Sequence, residues 1–123
     1  MTRGKTVLLV DDTETVLMFE RMMLNGLGLQ IKTARNGREA LGAVGQVNPD
    51  LILLDVIMPE MDGIETCKAL KTNPDTQHIP VVMVTTRGEE GMVERAFEAG
   101  CDDYITKPID KMELLAKVNT HLN

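Results

Sequence analysis

The chain has 123 residues, 43% of them apolar and only 2% aromatic, with 13 basic against 19 acidic side chains. This length suits one domain, residues 1–123, burying roughly 65% of its unfolded surface, and the scarcity of aromatic rings calls for a core of Leu, Ile, Val, Ala and Met, as in helices layered on a sheet. A net charge of −6 with no cluster of Lys and Arg disfavours direct binding to nucleic acid, and no apolar run nears the ~18 residues of a membrane helix.

The first apolar run, Val7 to Val10, reads as a buried strand. A helix is expected from near Thr13 to around Leu27, with Gly28 as its left-handed stop. A weaker strand follows at Leu29 to Ala34, and then Ala40, Leu41, Val44 and Val47 share one helical face. The third strand, Leu51 to Leu54, precedes a helix with Ile64, Cys67 and Leu70 on its inner face. Val81 to Val84 leads to a helix placing Val93, Ala96 and Phe97 inward. Tyr104 to Thr106 is the last strand, and Leu114, Leu115, Val118 and Leu122 mark the closing helix. Short apolar runs bounded by polar, Gly or Pro residues are what parallel strands buried on both faces require. Strand and helix alternate five times, and crossovers of this kind are right-handed. The fold class is therefore α/β: a five-stranded parallel sheet flanked by five helices, for which 2-1-3-4-5 is a common strand order at this size. Sequence alone leaves other windings open.

Cys67 and Cys101 stand far apart with no CxxC and no His at metal spacing, and the N-terminus has no apolar signal core. We expect core thiols in a cytoplasmic protein.

In an open parallel sheet, ligands bind beyond the carboxyl ends of the strands. Asp11 and Asp12 follow the first strand, Asp55 the third, Thr85 and Thr86 the fourth, and Lys107 and Pro108 the fifth. Taken singly these are ordinary: an acidic pair favours a helix N-terminus, and an Asp after a strand is a turn residue. Together they bring three carboxylates, a hydroxyl and an ammonium to one edge. At ~5 Å and an effective dielectric of ~20, each pair of carboxylates costs about 3 kcal/mol, more than one Lys offsets. All-oxygen ligands with a hydrated open side favour Mg²⁺. The pattern points to phosphoryl transfer, with Asp55 as nucleophile, Asp11 and Asp12 on the cation, and Lys107 and Thr85 on phosphoryl oxygens.

The stretches "VLLVDD", "LILLDVIMPEMDGIE", "VVMVTT" and "AGCDDYITKP" resemble the receiver domain of two-component response regulators, including the single-domain chemotaxis receiver, over almost the whole chain. The resemblance implies strand order 2-1-3-4-5 in a flavodoxin-like fold. It implies that Asp55 accepts a phosphoryl group from a histidine kinase or phosphotransfer protein. It further implies Mg²⁺ held by Asp12, Asp55 and the Ile57 carbonyl, with Asp11 acting through water. Thr85 matches the family's switch threonine, Lys107 its phosphate-pairing lysine, Tyr104 its switch aromatic and Lys107–Pro108 its cis peptide. Thr86 stands where Ala or Gly is common. Ile57 and Arg87 occupy the two positions that tune attack by water on the acyl phosphate, and an apolar Ile57 side chain cannot orient that water, so slow self-dephosphorylation is expected.

On the first helix we expect Val16, Phe19, Met23 and Leu27 to face the sheet, leaving Met18 and Met22 outward as a docking surface for the donor's helices. The fifth helix runs to the last residues of the sequence, so the signal is expected to leave through an effector protein, read from the fourth helix, fifth strand and fifth helix; a piece of a longer regulator reads the same way. Three rivals remain. A haloacid-dehalogenase-type phosphatase needs DxDx[TV], and "DDTET" has Thr13 at its third position. A flavin binder needs a phosphate loop and stacking aromatics. A pseudo-receiver would bind proteins alone.

Overall fold

The computed structural model describes residues 3–58, 61–86 and 91–122. Its elements run β1 (Thr6–Val10), α1 (Glu14–Met23), β2 (Gln30–Ala34), α2 (Gly37–Val47), β3 (Leu51–Asp55), α3 (Gly63–Thr72), β4 (Val81–Thr86), α4 (Met92–Glu98), β5 (Asp103–Lys107) and α5 (Lys111–Leu122). The strands are all parallel, in the order β2-β1-β3-β4-β5.

Alternation along each strand divides the core in two. Leu8, Val10, Ile52, Leu54, Val81 and Met83 meet α2, α3 and α4 through Ala40, Val44, Cys67, Leu70 and Ala96. Val7, Leu9, Leu51, Leu53, Val82 and Val84 meet α1 and α5 through Leu17, Leu24, Leu114, Val118 and Leu122. Every residue of β3 is buried, which explains its unbroken apolar run. By contrast β2 is an edge strand with Gln30 and Lys32 exposed, hence its weak signal. The two cysteines are buried and free, and burial pushes both thiols above their ordinary pKa. Among the described residues no helix is long and apolar enough to cross a membrane.

Local signals set the helix starts. Asn36 accepts a hydrogen bond from the N–H of Glu39 at α2. At α3, Asp62 and Glu65 form a reciprocal capping box.

Two expectations need correction. First, α1 ends at Met23 rather than near Leu27: Leu24 caps it in right-handed conformation, and the chain then turns at Asn25–Gly26, with Gly26 at φ +92°. Asn-Gly is a turn dipeptide, and it stops the helix before Gly28 is reached. Second, the apolar faces of α1 and α4 are rotated. The buried residues of α1 are Leu17 and Glu20, joined by its cap Leu24, while Phe19 is 54% exposed. On α4 Ala96 is buried, but Phe97 lies at the surface with its ring edge-on to Tyr104, centroids 6.0 Å apart.

Candidate functional site

Parallel strands place all their carboxyl ends on one rim, and the register brings the singled-out residues to it. Val10 pairs with Leu54, Asp55 with Val84, and Thr86 with Lys107, so Asp11, Asp55, Thr85 and Lys107 gather at neighbouring strand ends. Asp11, Asp55 and Thr85 are buried, Lys107 half-buried and Asp12 exposed. After β3, the Gly63 N–H at the start of α3 donates to the Val56 carbonyl at 2.7 Å.

The Lys107 ammonium lies 3.2 Å from Asp11 Oδ2 and 3.3 Å from Asp55 Oδ1. Asp11 Oδ1 accepts the Thr13 N–H at 2.9 Å, which fixes the carboxylate at the start of α1. Each of Asp11, Asp12 and Asp55 can offer one oxygen, all within 4.8 Å of one another. Burial raises the Asp55 pKa to about 6, Asp11 adding repulsion that Lys107 only partly relieves. For Lys107, burial works against the ammonium, but Asp55 and Asp11 outweigh it and hold its pKa above the ordinary value. Among the described residues, Lys107 is the one cation in ion-pair reach of these acids. Three oxygen donors around one ammonium are an under-neutralised set, and this donor chemistry fits a hard divalent cation such as Mg²⁺.

The pocket is joined to a sequence match. The family model of the response regulator receiver domain covers residues 7–119. The chain belongs to that family. It is 36% identical over 118 residues to the polar-differentiation response regulator DivK of Brucella anthropi, covering 96% of each protein. It is 40% identical over 114 residues to the response regulator PleD of Caulobacter vibrioides, covering 93% of this chain but 25% of PleD. The chain thus spans about a quarter of PleD and nearly all of DivK. Its fold superimposes on the chemotaxis response regulator CheY4 of Vibrio cholerae with a TM-score of 0.88 at 30% identity, covering 96% of this chain and 98% of that one. Receiver domains are signalling modules that bind Mg²⁺ at an acidic pocket and interact with histidine kinases or phosphotransfer proteins and downstream effectors.

The other expected residues of this receiver are placed as follows. Ile57 is 50% exposed. Thr86 is exposed at the end of β4, and the Lys107–Pro108 bond is cis. Arg87 lies outside the described residues. Tyr104 is half-buried on β5, with the Lys117 ammonium 4.9 Å from its ring centroid. Lys117 also donates to the Tyr104 carbonyl at 2.5 Å and to Asp103 at 2.9 Å, while His121 pairs with Asp103 at 3.1 Å. Burial alone would raise the Asp103 pKa, but the hydrogen bonds from Lys117, His121 and the Tyr104 N–H lower it. Met18 and Met22 are exposed as expected, and Phe19 joins them. With Val16 and Met23, Phe19 lines a groove of about 320 Å³ against Lys107, Pro108 and Ile109.

Sequence reasoning missed Glu20. It is buried on α1, and burial raises its pKa to about 8, helped by repulsion from Asp11 and Asp55 and opposed by Lys107. The signal was present in the spacing of Leu17, Glu20 and Leu24, a helical stripe as regular as the one chosen.

Proposed function

We propose that this receiver takes a phosphoryl group onto Asp55 from a phosphohistidine of a histidine kinase or phosphotransfer protein. The observation that supports it most is the double contact of Lys107 with Asp11 and Asp55 inside a triad of carboxylates at the strand ends. In the step, an Asp55 carboxylate oxygen attacks phosphorus. The P–O bond to Asp55 forms as the P–N bond to the donor imidazole breaks, and the imidazole leaves with the bonding electron pair and takes a proton. Asp12, Asp55 and the Ile57 carbonyl would hold Mg²⁺, with Asp11 behind a water. When bound, the ion supplies positive charge to phosphoryl oxygens that Lys107 alone cannot neutralise.

Lys107 leaves its carboxylate partners to pair a nonbridging oxygen, and the Thr85 hydroxyl donates to another. Movement of Thr85 makes room for Tyr104 to turn inward, which alters the surface formed by α4, β5 and α5, where an effector protein reads it. The donor docks on α1 through Met18 and Met22, joined by Phe19. The chain catalyses its own phosphotransfer and slow loss of phosphate, with no separate substrate. Buried free thiols support a cytoplasmic setting.

Beryllofluoride with Mg²⁺, a mimic of the phosphoryl group, tests the reading. Saturable binding that disappears in Asp55→Asn is expected. No binding by the unaltered chain would leave a pseudo-receiver that acts only through protein contacts.

A further inference from the structure

Tyr104 is the only tyrosine of the chain, and its ring is met from two helices. From α5, the Lys117 ammonium stands 4.9 Å from the ring centroid, within the range of a cation over an aromatic ring. From α4, the Phe97 ring meets it edge-on at 87°, with the centroids 6.0 Å apart. Phe97 is 46% exposed, so core packing gives little reason for an aromatic side chain at its position.

Lys117 lacks the freedom usual for a lysine. Its ammonium donates to the Tyr104 carbonyl at 2.5 Å and to Asp103 Oδ1 at 2.9 Å. The same Asp103 oxygen accepts the Tyr104 N–H at 2.8 Å, and His121 holds the other carboxylate oxygen at 3.1 Å. The backbone of Tyr104 thus fixes the cation that faces the ring of Tyr104. A change of χ1 at Tyr104 leaves these bonds intact, because neither its carbonyl nor its N–H moves with the side chain. What it breaks is the two ring contacts.

We infer that Lys117 and Phe97 are positioning residues for Tyr104: they clamp its ring in the resting position, and the inward turn gives up both contacts. This rests on the proposed role of Tyr104 as the residue that turns when Thr85 moves. A ligand shifts an equilibrium between two states only by its differential affinity for them, and contacts present in the resting state alone lower its apparent affinity. Loosening the clamp therefore tightens binding of a phosphoryl mimic at Asp55, a residue that neither Lys117 nor Phe97 is bonded to.

The test is a double-mutant cycle on beryllofluoride affinity in Mg²⁺. Lys117→Met, which keeps an apolar stem and removes the charge, is expected to tighten binding about fivefold, and Phe97→Leu about threefold. With Tyr104→Ala already present there is no ring to hold, and both effects should fall below about 1.5-fold. Equal changes in the two backgrounds would mean that the substitutions act through Asp103 or through helix packing, and would overturn the inference, as would no tightening by either. A second readout does not depend on the acid pocket. In the ligand-free protein, three-bond couplings of the one tyrosine Cγ report its χ1 populations: a single rotamer is expected in the unaltered chain and mixed rotamers in both variants. If the unaltered chain binds no beryllofluoride, the phosphoacceptor reading falls, and these couplings still decide the clamp, since one unchanged rotamer in all three proteins would overturn it. Thermal melts establish that each variant is folded, and Phe97→Leu carries both measurements should Lys117→Met fail to fold.

Discussion

A β-carbon placed on Gly63 would lie 2.1 Å from the carbonyl oxygen of Asp55 and 2.8 Å from the Val56 Cα. Backbone cannot yield as a flexible side chain would, so α3 can begin this close to Asp55 only with glycine at its first residue. Gly63→Ala should lower stability by about 1–3 kcal/mol, seen as a melting point depressed by several degrees. The displaced Asp55 backbone should also weaken beryllofluoride binding. An unchanged melting point in calorimetry would mean that the β3–α3 loop is not held this tightly.

Stability of the metal-free protein should fall as pH rises from about 4 to about 8. An acid whose folded pKa is raised stabilises the fold fully below its unfolded pKa, and that stability is lost as pH rises through the folded value. For Glu20 the window runs from 4.5 to about 8, and for Asp55 from 3.8 to about 6. Burial is the leading cause for both. The expected loss is on the order of a few kcal/mol, largely from Glu20. Melts in chelator across this range should slope downward for the unaltered chain and be distinctly flatter for Glu20→Gln. Parallel slopes would exclude Glu20 as the source.

Removing the charge of Asp55 should stabilise the metal-free fold. Asp55→Asn is expected to melt higher than the unaltered chain in chelator near pH 8, by an amount corresponding to about 1–2 kcal/mol, and to gain less from added Mg²⁺. Asp12→Ala should move in the same direction by less, because Asp12 is exposed and is the weakest of the groups acting on Asp55. Melting points in the reverse order would contradict the crowding of Asp11 against Asp55.

The strands and the rim they build were legible because buried parallel strands leave a plain mark, an apolar run ending in a polar residue. "LILLD" and "VVMVTT" carried both the core and the site in one stretch. The edge strand β2 was fainter because half of it meets solvent. Helical phase was harder to read on α1, where Val16, Phe19 and Met23 are as apolar as Leu17 and Leu24. Choosing the former stripe put Phe19 inside and Glu20 at the surface, the reverse of what the structure shows. Its true phase depends on which stripe the sheet and α5 accept, a tertiary fact. The early end of α1 was in the sequence at Asn25–Gly26, but Gly28 offered an equally plausible stop.

Loss of phosphate should be slow, and a polar side chain at Ile57 should speed it. Ile57 is half-exposed two residues after Asp55, and its side chain has no atom that could orient a water. Ile57→Asn is expected to raise the dephosphorylation rate by about tenfold, a modest share of what a positioned polar group contributes. The decay of radiolabelled phosphate on the two proteins in Mg²⁺ measures it. Equal decay would place control of the water elsewhere.

The exposed face of α1 should govern which donor can deliver the phosphoryl group, without governing the chemistry. Met18, Phe19 and Met22 are each more than half exposed, and Phe19 overhangs the groove that ends at Lys107. Apolar side chains left in solvent beside a reactive pocket suit the helical surface of a partner, and a charge among them would be desolvated on docking without a counter-charge. Met18→Lys should therefore slow transfer from the cognate phosphohistidine protein by about tenfold or more, with Phe19→Ala acting in the same direction. Phosphorylation by a small-molecule donor such as acetyl phosphate should be unaffected in both variants, because neither side chain belongs to the set around Asp55. Rates for the two donor classes, measured side by side, separate the possibilities: a loss confined to the protein donor places the docking face on α1, whereas equal losses with both donors would mean that these substitutions reach the pocket through the packing of the helix.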